Sequence, residues 1–297
     1  MPEADEVNCD ITTPADGAMA TTAMADASLD VSIVVPYFNP GNRLRTTIEQ
    51  LETALESAGV SFEIIAVSDG STDKSPDDLE DCSHLLVRRL ELEHVGKGHA
   101  LRIGFALGRG RVLGFIDGDG DIPPVCLTDL LKAMDLDTGS DTERQCDSVL
   151  VRPDIVIGSK RHPASTVEYA WARRLYSWGY QLLVRLLFRL DVRDTQVGIK
   201  LIDRSVMVDV LPLLREDRFA LDLELLVVAR QLGYCHVVEV PVRIEERLTS
   251  TISPRTVWSL LCDTLRLFWR FSVLHTYQRP IEPAHSQGTP QSGNAEG

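Results

Sequence analysis

Residues 31–36, VSIVVP, form an unbroken β-branched run closed by proline, the pattern of a strand covered on both faces. Between 43 and 57 the period changes: Leu44, Ile48, Leu51 and Leu55 recur every three or four positions and predict a helix with one apolar face. Apolar runs at 62–67, 85–90 and 111–116 predict three more strands, and 97–107 a helix that tolerates two glycines. Further along, the same reading predicts helices over 125–134, 171–190, 219–232 and 256–274, and strands over 154–158 and 236–241. Strands alternating with helices predict an α/β fold, a mostly parallel sheet flanked by helices, with ligands collecting at the carboxyl ends of the strands. Polar loops follow such ends at 68–73 (SDGSTD) and 117–121 (DGDGD).

The patterned stretch, 31–275, reads as a single domain. Residues 1–30 hold seven carboxylates and no lysine or arginine, and 276–297 are rich in Pro, Gly, Ser and Gln, so both ends read as disordered tails. The first residues lack the basic start and apolar run of a secretory signal. Across all 297 residues, 44 acidic side chains face 30 basic ones, a formal charge of −14. That balance excludes nucleic acid as the main partner, because phosphate backbones require a basic footprint. Six cysteines lie without a C-x-x-C pair, which argues against a thiolate zinc site and for reduced thiols in the cytoplasm.

The charge is unevenly distributed. Between 160 and 190 six basic residues meet one acidic residue, with Arg173, Arg174, Arg185 and Arg189 set among Trp178, Tyr180 and several leucines. The last predicted helix repeats the theme with Trp258, Arg266, Trp269 and Arg270. Basic amphipathic helices with aromatic residues suit an anionic membrane surface, although two packed helices with snorkelling arginines give the same pattern. No apolar stretch reaches the ~18 residues needed to cross a bilayer, so contact with the cytoplasmic face of a membrane would be peripheral.

Candidate chemistry begins at Asp117-Gly-Asp119, directly after an apolar strand. Two carboxylates separated only by glycine can reach one hard cation, Mg²⁺ or Mn²⁺, through oxygen ligands, and a solvated turn is the plain alternative. An EF-hand loop is excluded, since Ile122 stands where glycine is required and Thr128 where glutamate is required. Asp69, after the second predicted strand, is placed to accept hydrogen bonds from a base or ribose, or to hold its own turn. Asp194-Thr-Gln196 through Lys200 gathers a carboxylate, an amide and an ammonium around one glycine. Asp222 and Glu224 open an otherwise apolar helix, and their leucine neighbours predict that at least one is semi-buried.

Taken together, VVPYFN (34–39), SDGSTD (68–73), GKGHALRIGFALGRG (96–110), FIDGDGDIPP (115–124), VIGSKRH (156–162), DTQVGIKL (194–201) and FALDLELL (219–226) resemble the inverting glycosyltransferases of family 2, which have the GT-A fold. Within them the resemblance points to the polyprenyl-phosphate subgroup of dolichyl-phosphate β-glucosyltransferases and mannose synthases. It implies that Pro36, Tyr37, Asp69 and Lys97 contact the nucleotide sugar and that Asp117 and Asp119 hold the diphosphate and its Mg²⁺ or Mn²⁺. It further implies a sugar and acceptor site at Asp194, Gln196 and Asp222, with Lys160, Arg173 and Arg247 as basic residues for the acceptor. The chain departs from the family pattern at Pro40, Ser68, Lys160 and 249–251. The implied reaction moves a hexose, glucose from UDP-glucose, onto a dolichyl or polyprenyl phosphate with inversion at the anomeric carbon. A phosphate monoester is already largely dianionic at pH 7 and needs positioning by cations more than a general base. A hydroxyl acceptor would instead require Asp194 or Asp222 as base, and a non-catalytic binding module would require neither.

Overall fold

The computed structural model describes residues 29–75, 79, 87–135, 152–167, 171–244 and 254–272, the side chains of 166–177, 244, 254–257 and 259 excepted. Most of both predicted tails, the acidic stretch 136–151, the side chain of Arg173 and the whole of Arg247 therefore lie outside the description. Within it the strands are β1 (Leu29–Tyr37), β2 (Phe62–Asp69), β3 (Val87–Leu92), β4 (Gly110–Ile116), β5 (Ile155–Ser159), β6 (Thr166–Val167), β7 (Ile199–Asp203), β8 (Val237–Pro241) and β9 (Arg243–Ile244). The helices are α1 (Arg43–Ser57), α2 (Lys97–Leu107), α3 (Cys126–Ala133), α4 (Trp171–Phe188), α5 (Arg204–Val210), α6 (Leu221–Gln231) and α7 (Pro254–Ser272).

Seven strands form one sheet in the order β3-β2-β1-β4-β7-β5-β8, parallel except for β7, which runs against both β4 and β5. β6 and β9 make a separate parallel pair. The apolar runs work as expected: every residue of β2 and seven of the nine in β1 are buried. α2 accepts its glycines because each meets close neighbours: a Cβ on Gly104 would come within 2.9 Å of Val34 Cγ2 in β1, and one on Gly98 within 2.6 Å of Glu216 O. Two expectations are corrected. β2 extends through Ser68 and Asp69, which the sequence pattern assigns to a loop, and β1 starts at Leu29, inside the stretch read as tail. α5 was not anticipated, although Asp203 caps it by accepting from Ser205 N at 2.9 Å.

The amino ends of the central strands are pinned by a buried carboxylate. Glu63 Oε1 accepts from Ser32 Oγ at 2.7 Å and from Arg109 N at 2.7 Å, while Oε2 accepts from Arg109 Nε and Nη2 at 3.2 and 3.1 Å. Burial pushes the Glu63 carboxyl up, but the bonds from Ser32 and Arg109 outweigh it and hold the group below its ordinary value. A carboxyl with a depressed folded pKa stabilises the fold above its unfolded pKa and loses that contribution as pH falls through the folded value. Glu63→Gln is therefore expected to cost about 2 kcal/mol at pH 7, less than a fully buried pair because half-exposed Arg109 is screened. In acid titrations monitored by circular dichroism, the variant's stability should fall less steeply than the parent's below pH ~4.5.

Candidate active site

In the strand order 3-2-1-4, the chain leaves β1 for β2 on one side and reaches β4 on the other, so a crevice opens between the carboxyl ends of β1 and β4. Pro36 and Tyr37 end β1, and Asp117 to Asp119 follow β4. The two ends are joined directly, since Gly118 N donates to Pro36 O at 3.2 Å. The next loop is fastened to the same edge: Asn39 Oδ1 accepts from Thr72 N at 2.7 Å and Asp73 N at 3.2 Å, and Asp73 Oδ2 accepts from Gly41 N at 2.9 Å. Pro36, Tyr37, Asp117 and Asp119 thus meet at the carboxyl ends of β1 and β4, and Asp69 ends the neighbouring β2.

Asp69 is buried, and much of its capacity is already used. Its Oδ1 accepts from Val95 N and Gly96 N, both at 2.9 Å, bracing the turn that enters α2. Its Oδ2 lies 3.1 Å from His94 Nδ1, and the His94 ring stacks on Phe38 with centroids 4.3 Å apart.

Asp117 and Asp119 differ in setting. Asp119 is exposed and its Oδ1 accepts from Asp121 N at 3.0 Å. Asp117 is partly covered, its Oδ1 lies 2.7 Å from Lys97 Nζ, and burial, with the nearby Asp119 and Asp222, outweighs Lys97 and pushes its carboxyl above the ordinary value. Lys97, the first residue of α2, also donates to Asp222 Oδ2 at 3.4 Å. Lys200 Nζ, fully buried, donates to Asp222 Oδ1 and to Val197 O, the latter at 2.7 Å. The Phe115 ring closes this row of charges, with Lys97 and Lys200 4.9 and 5.0 Å from its centroid. Burial pulls the Lys97 ammonium down, but Asp117 and Asp222 together raise it, so it stays charged. Burial likewise pushes Asp222 up, but Lys200 and Lys97 win and hold its carboxyl below the ordinary range. Burial dominates for Lys200, whose ammonium is pulled down.

The sequence reading missed Lys200 as a partner. Its signal was available: a lysine inside the apolar run 199–202, which is plausible in a strand only beside a buried acid. Glu224, read as either member of a semi-buried pair, is fully buried and serves the backbone, accepting from Arg215 N and Glu216 N at 3.0 and 2.8 Å.

Asp194 joins two loops, with Oδ2 accepting from Lys160 N at 3.1 Å and Oδ1 from Gln196 N at 3.3 Å. Beside it Ser159 Oγ, Thr195 Oγ1 and Gln196 Nε2 are buried without hydrogen-bond partners among the described residues. Buried polar atoms left open in this way mark a place where a ligand or water completes the structure. Gly198 lies directly under Asp117, whose backbone N–H donates to Gly198 O at 3.0 Å. A Cβ at 198 would stand 2.6 Å from Asp117 Cγ and closer still to Oδ2. Gly198→Ala is therefore expected to swing the Asp117 carboxylate aside and cut turnover by ~10²-fold with little loss of stability, since small misplacements are costly in catalysis. Steady-state kinetics beside thermal unfolding checks this.

Comparisons with known proteins identify the family and the fold. The family described as Glycosyl transferase family 2 matches residues 32–207. A dolichyl-phosphate β-glucosyltransferase of Drosophila melanogaster is 33% identical over 254 residues, covering 82% of this chain and 75% of its own. The mouse protein of the same name is 30% identical over 256 residues, covering 82% and 76%. Among solved structures, glucosyl-3-phosphoglycerate synthase of Mycobacterium tuberculosis, crystallised with Mn²⁺, UDP and phosphoglyceric acid, superposes with a TM-score of 0.60 over 86% of this chain and 84% of its own, at 17% identity. That likeness extends to the fold, a GT-A sheet. The family match over more than half the chain, together with relatives at this identity and coverage, shows that the chain belongs to the family 2 glycosyltransferases.

Proposed function

We propose that the chain transfers glucose from UDP-glucose to a dolichyl or polyprenyl phosphate, with inversion, at a membrane surface and with Mg²⁺ or Mn²⁺ held by Asp117 and Asp119. The donor set suits such an ion. Two neighbouring carboxylates are hard oxygen ligands, and among the described residues no group of three or more His, Cys, Asp or Glu forms a protein cage. Mg²⁺ commonly relies on one or two carboxylates together with substrate phosphates, so a bare pair fits an ion that arrives with a diphosphate. Bound there, the cation would supply charge neutralisation for the departing nucleoside diphosphate. Lys97 adds a fixed positive charge beside the same aspartate.

The observation that carries the phosphate-acceptor reading is the state of Asp222. A hydroxyl acceptor needs a carboxylate ready to take a proton, and Asp222 is buried, paired with two lysines and held below its ordinary pKa, which makes it a poor base. Asp194, the other candidate, spends both oxygens on backbone N–H groups. An acceptor that brings its own negative charge needs neither. In this reading Lys160, Arg173 and Arg247 grip the acceptor phosphate, Asp194 orders the loop that carries Lys160, and the open amide of Gln196 meets the sugar or acceptor. The names of the relatives favour the same acceptor class. Membrane contact is supported by α4 and α7, which expose Trp178, Leu182, Leu186, Trp258, Leu265 and Trp269 beside arginines. No helix among the described residues is long and apolar enough to cross a membrane.

The test is incubation of the full chain with Mn²⁺, labelled UDP-glucose or GDP-mannose, and polyprenyl phosphate in vesicles. Label moving from UDP-glucose to the lipid is expected. Label reaching only soluble hydroxyl compounds would replace the reading with a hydroxyl-directed transferase, and tight nucleotide binding without turnover would replace it with a binding module.

A further inference from the structure

A cleft of about 560 Å³ shares no lining residue with the Asp117–Lys97–Asp222 row. Its walls include Arg161, just past the carboxyl end of β5, Arg193, and Trp178, Leu182 and Arg185 of α4, with Glu239 of β8. It therefore lies toward the β8 edge of the sheet, at the end of β5 that carries the Lys160 loop. Two loops connect it to that loop's clasp: Arg161 follows Lys160, Arg193 precedes Asp194, and Lys160 N donates to Asp194 Oδ2.

The lining has two characters. One side is cationic. Arg185 meets Asp191 at 2.8 Å with both side chains mostly exposed, and Arg193 meets Glu239 at 3.7 Å. The Arg185–Asp191 pair is exposed and contributes at most ~1 kcal/mol. Arg193, itself mostly exposed, meets Glu239 at a long distance, while the backbone N–H groups of Arg193 and Asp194 already serve that carboxylate. A phosphate offering charge and bidentate geometry can therefore take over the guanidinium groups. The other side is apolar. Trp178 and Leu182 continue along α4 to Leu186, one turn apart on one face, and all three are exposed although the opposite face of α4 buries Val184 and Phe188. Free phosphate would leave the tryptophan and leucines unused, and a neutral hydrocarbon would leave the arginines unused.

We propose that this cleft binds the lipid-phosphate acceptor, its phosphate among Arg161, Arg185 and Arg193 and its first isoprenoid units along Trp178, Leu182 and Leu186. The proposal rests on the lipid-phosphate reading above and adds a docking position to it, from which the phosphate passes inward to the grip of Lys160, Arg173 and Arg247. The acceptor docks here, one residue from the Lys160–Asp194 clasp, and the stripe on α4 guides its chain out toward the leaflet.

The test uses the full chain with Mn²⁺ and UDP, titrated calorimetrically with a short water-soluble prenyl phosphate, with inorganic phosphate, and with anionic phospholipid vesicles lacking polyprenyl phosphate. The prenyl phosphate is expected to bind at least ~10-fold tighter than inorganic phosphate, and Trp178→Ala, Arg185→Ala and Arg193→Ala are each expected to weaken it ~10-fold. In transfer assays the same variants should raise KM for the acceptor ~10-fold, with kcat and KM for the donor within about twofold. Equal binding of inorganic phosphate, or an acceptor affinity unmoved by all three substitutions, overturns the proposal even if transfer occurs. Vesicles that fully displace the prenyl phosphate overturn it in favour of bulk leaflet lipid. If the substitutions weaken prenyl-phosphate binding in a protein that transfers no sugar, the cleft stands and the transferase reading falls.

Discussion

Asp119→Asn is expected to reduce sugar transfer by ~10³-fold while shifting Tm by no more than about 2 °C. Both halves follow from the setting of Asp119. Its side chain is exposed and its one described bond is to Asp121 N, which an asparagine oxygen can also accept, so the fold loses almost nothing. Its charge is what changes. Asp117 has already given one oxygen to Lys97, so the cation and diphosphate depend on Asp119 for a second full carboxylate. The substitution should weaken Mn²⁺ binding in the presence of UDP by at least ~10-fold, a direct equilibrium measurement that does not depend on turnover. Full activity at limiting Mn²⁺, or unchanged Mn²⁺ affinity, would mean that the ion is held elsewhere. Asp119→Ala should behave like Asp119→Asn in transfer, which separates loss of charge from loss of the turn.

Legibility in this chain follows how local each signal is. β1, β2 and β4 could be read because strands buried on both faces become unbroken apolar runs, and α1 because its buried face repeats as Leu44, Ile48, Leu51 and Leu55. The crevice could be anticipated because Asp69 and Asp117 follow such runs and parallel strands deliver their carboxyl ends to one side. The antiparallel β7 was harder. It is five residues long and carries Lys200, a charge whose apolar neighbours call for a buried acid without saying which one. What neutralises that charge is Asp222, on a helix formed 22 residues later, and no periodicity reports such a pairing. The same holds for Lys97, whose partners Asp117 and Asp222 are brought to it only when α2 and α6 close over β4. The local motif located the aspartates, while the cations that set their behaviour come from folding.

Asp222→Asn should be the most destabilising of these changes, at about 3–5 kcal/mol in urea unfolding at pH 7, because it leaves a buried ammonium without its counter-charge. Lys200 has no exposure, and without Asp222 its described partner is the Val197 carbonyl. Lys97 is affected less, since it keeps Asp117. The pH dependence carries a definite sign. Burial already pulls Lys200 below its ordinary value, and losing the carboxylate pulls it further, so the unfolded chain binds more protons than the folded one. Stability then rises with pH, and the deficit of Asp222→Asn should shrink between pH 7 and pH ~9.5 as Lys200 folds uncharged. A pH-independent deficit below ~1 kcal/mol would show that the pair is not the buried, compensated one described here. Adding Lys200→Met should recover most of the stability at pH 7, because replacing both members of a buried pair is far cheaper than removing one. Transfer should not recover with it. Lys97 would still lack the second carboxylate that fixes it against Asp117, so a folded but slow double variant is the outcome that distinguishes positioning of the site from support of the core.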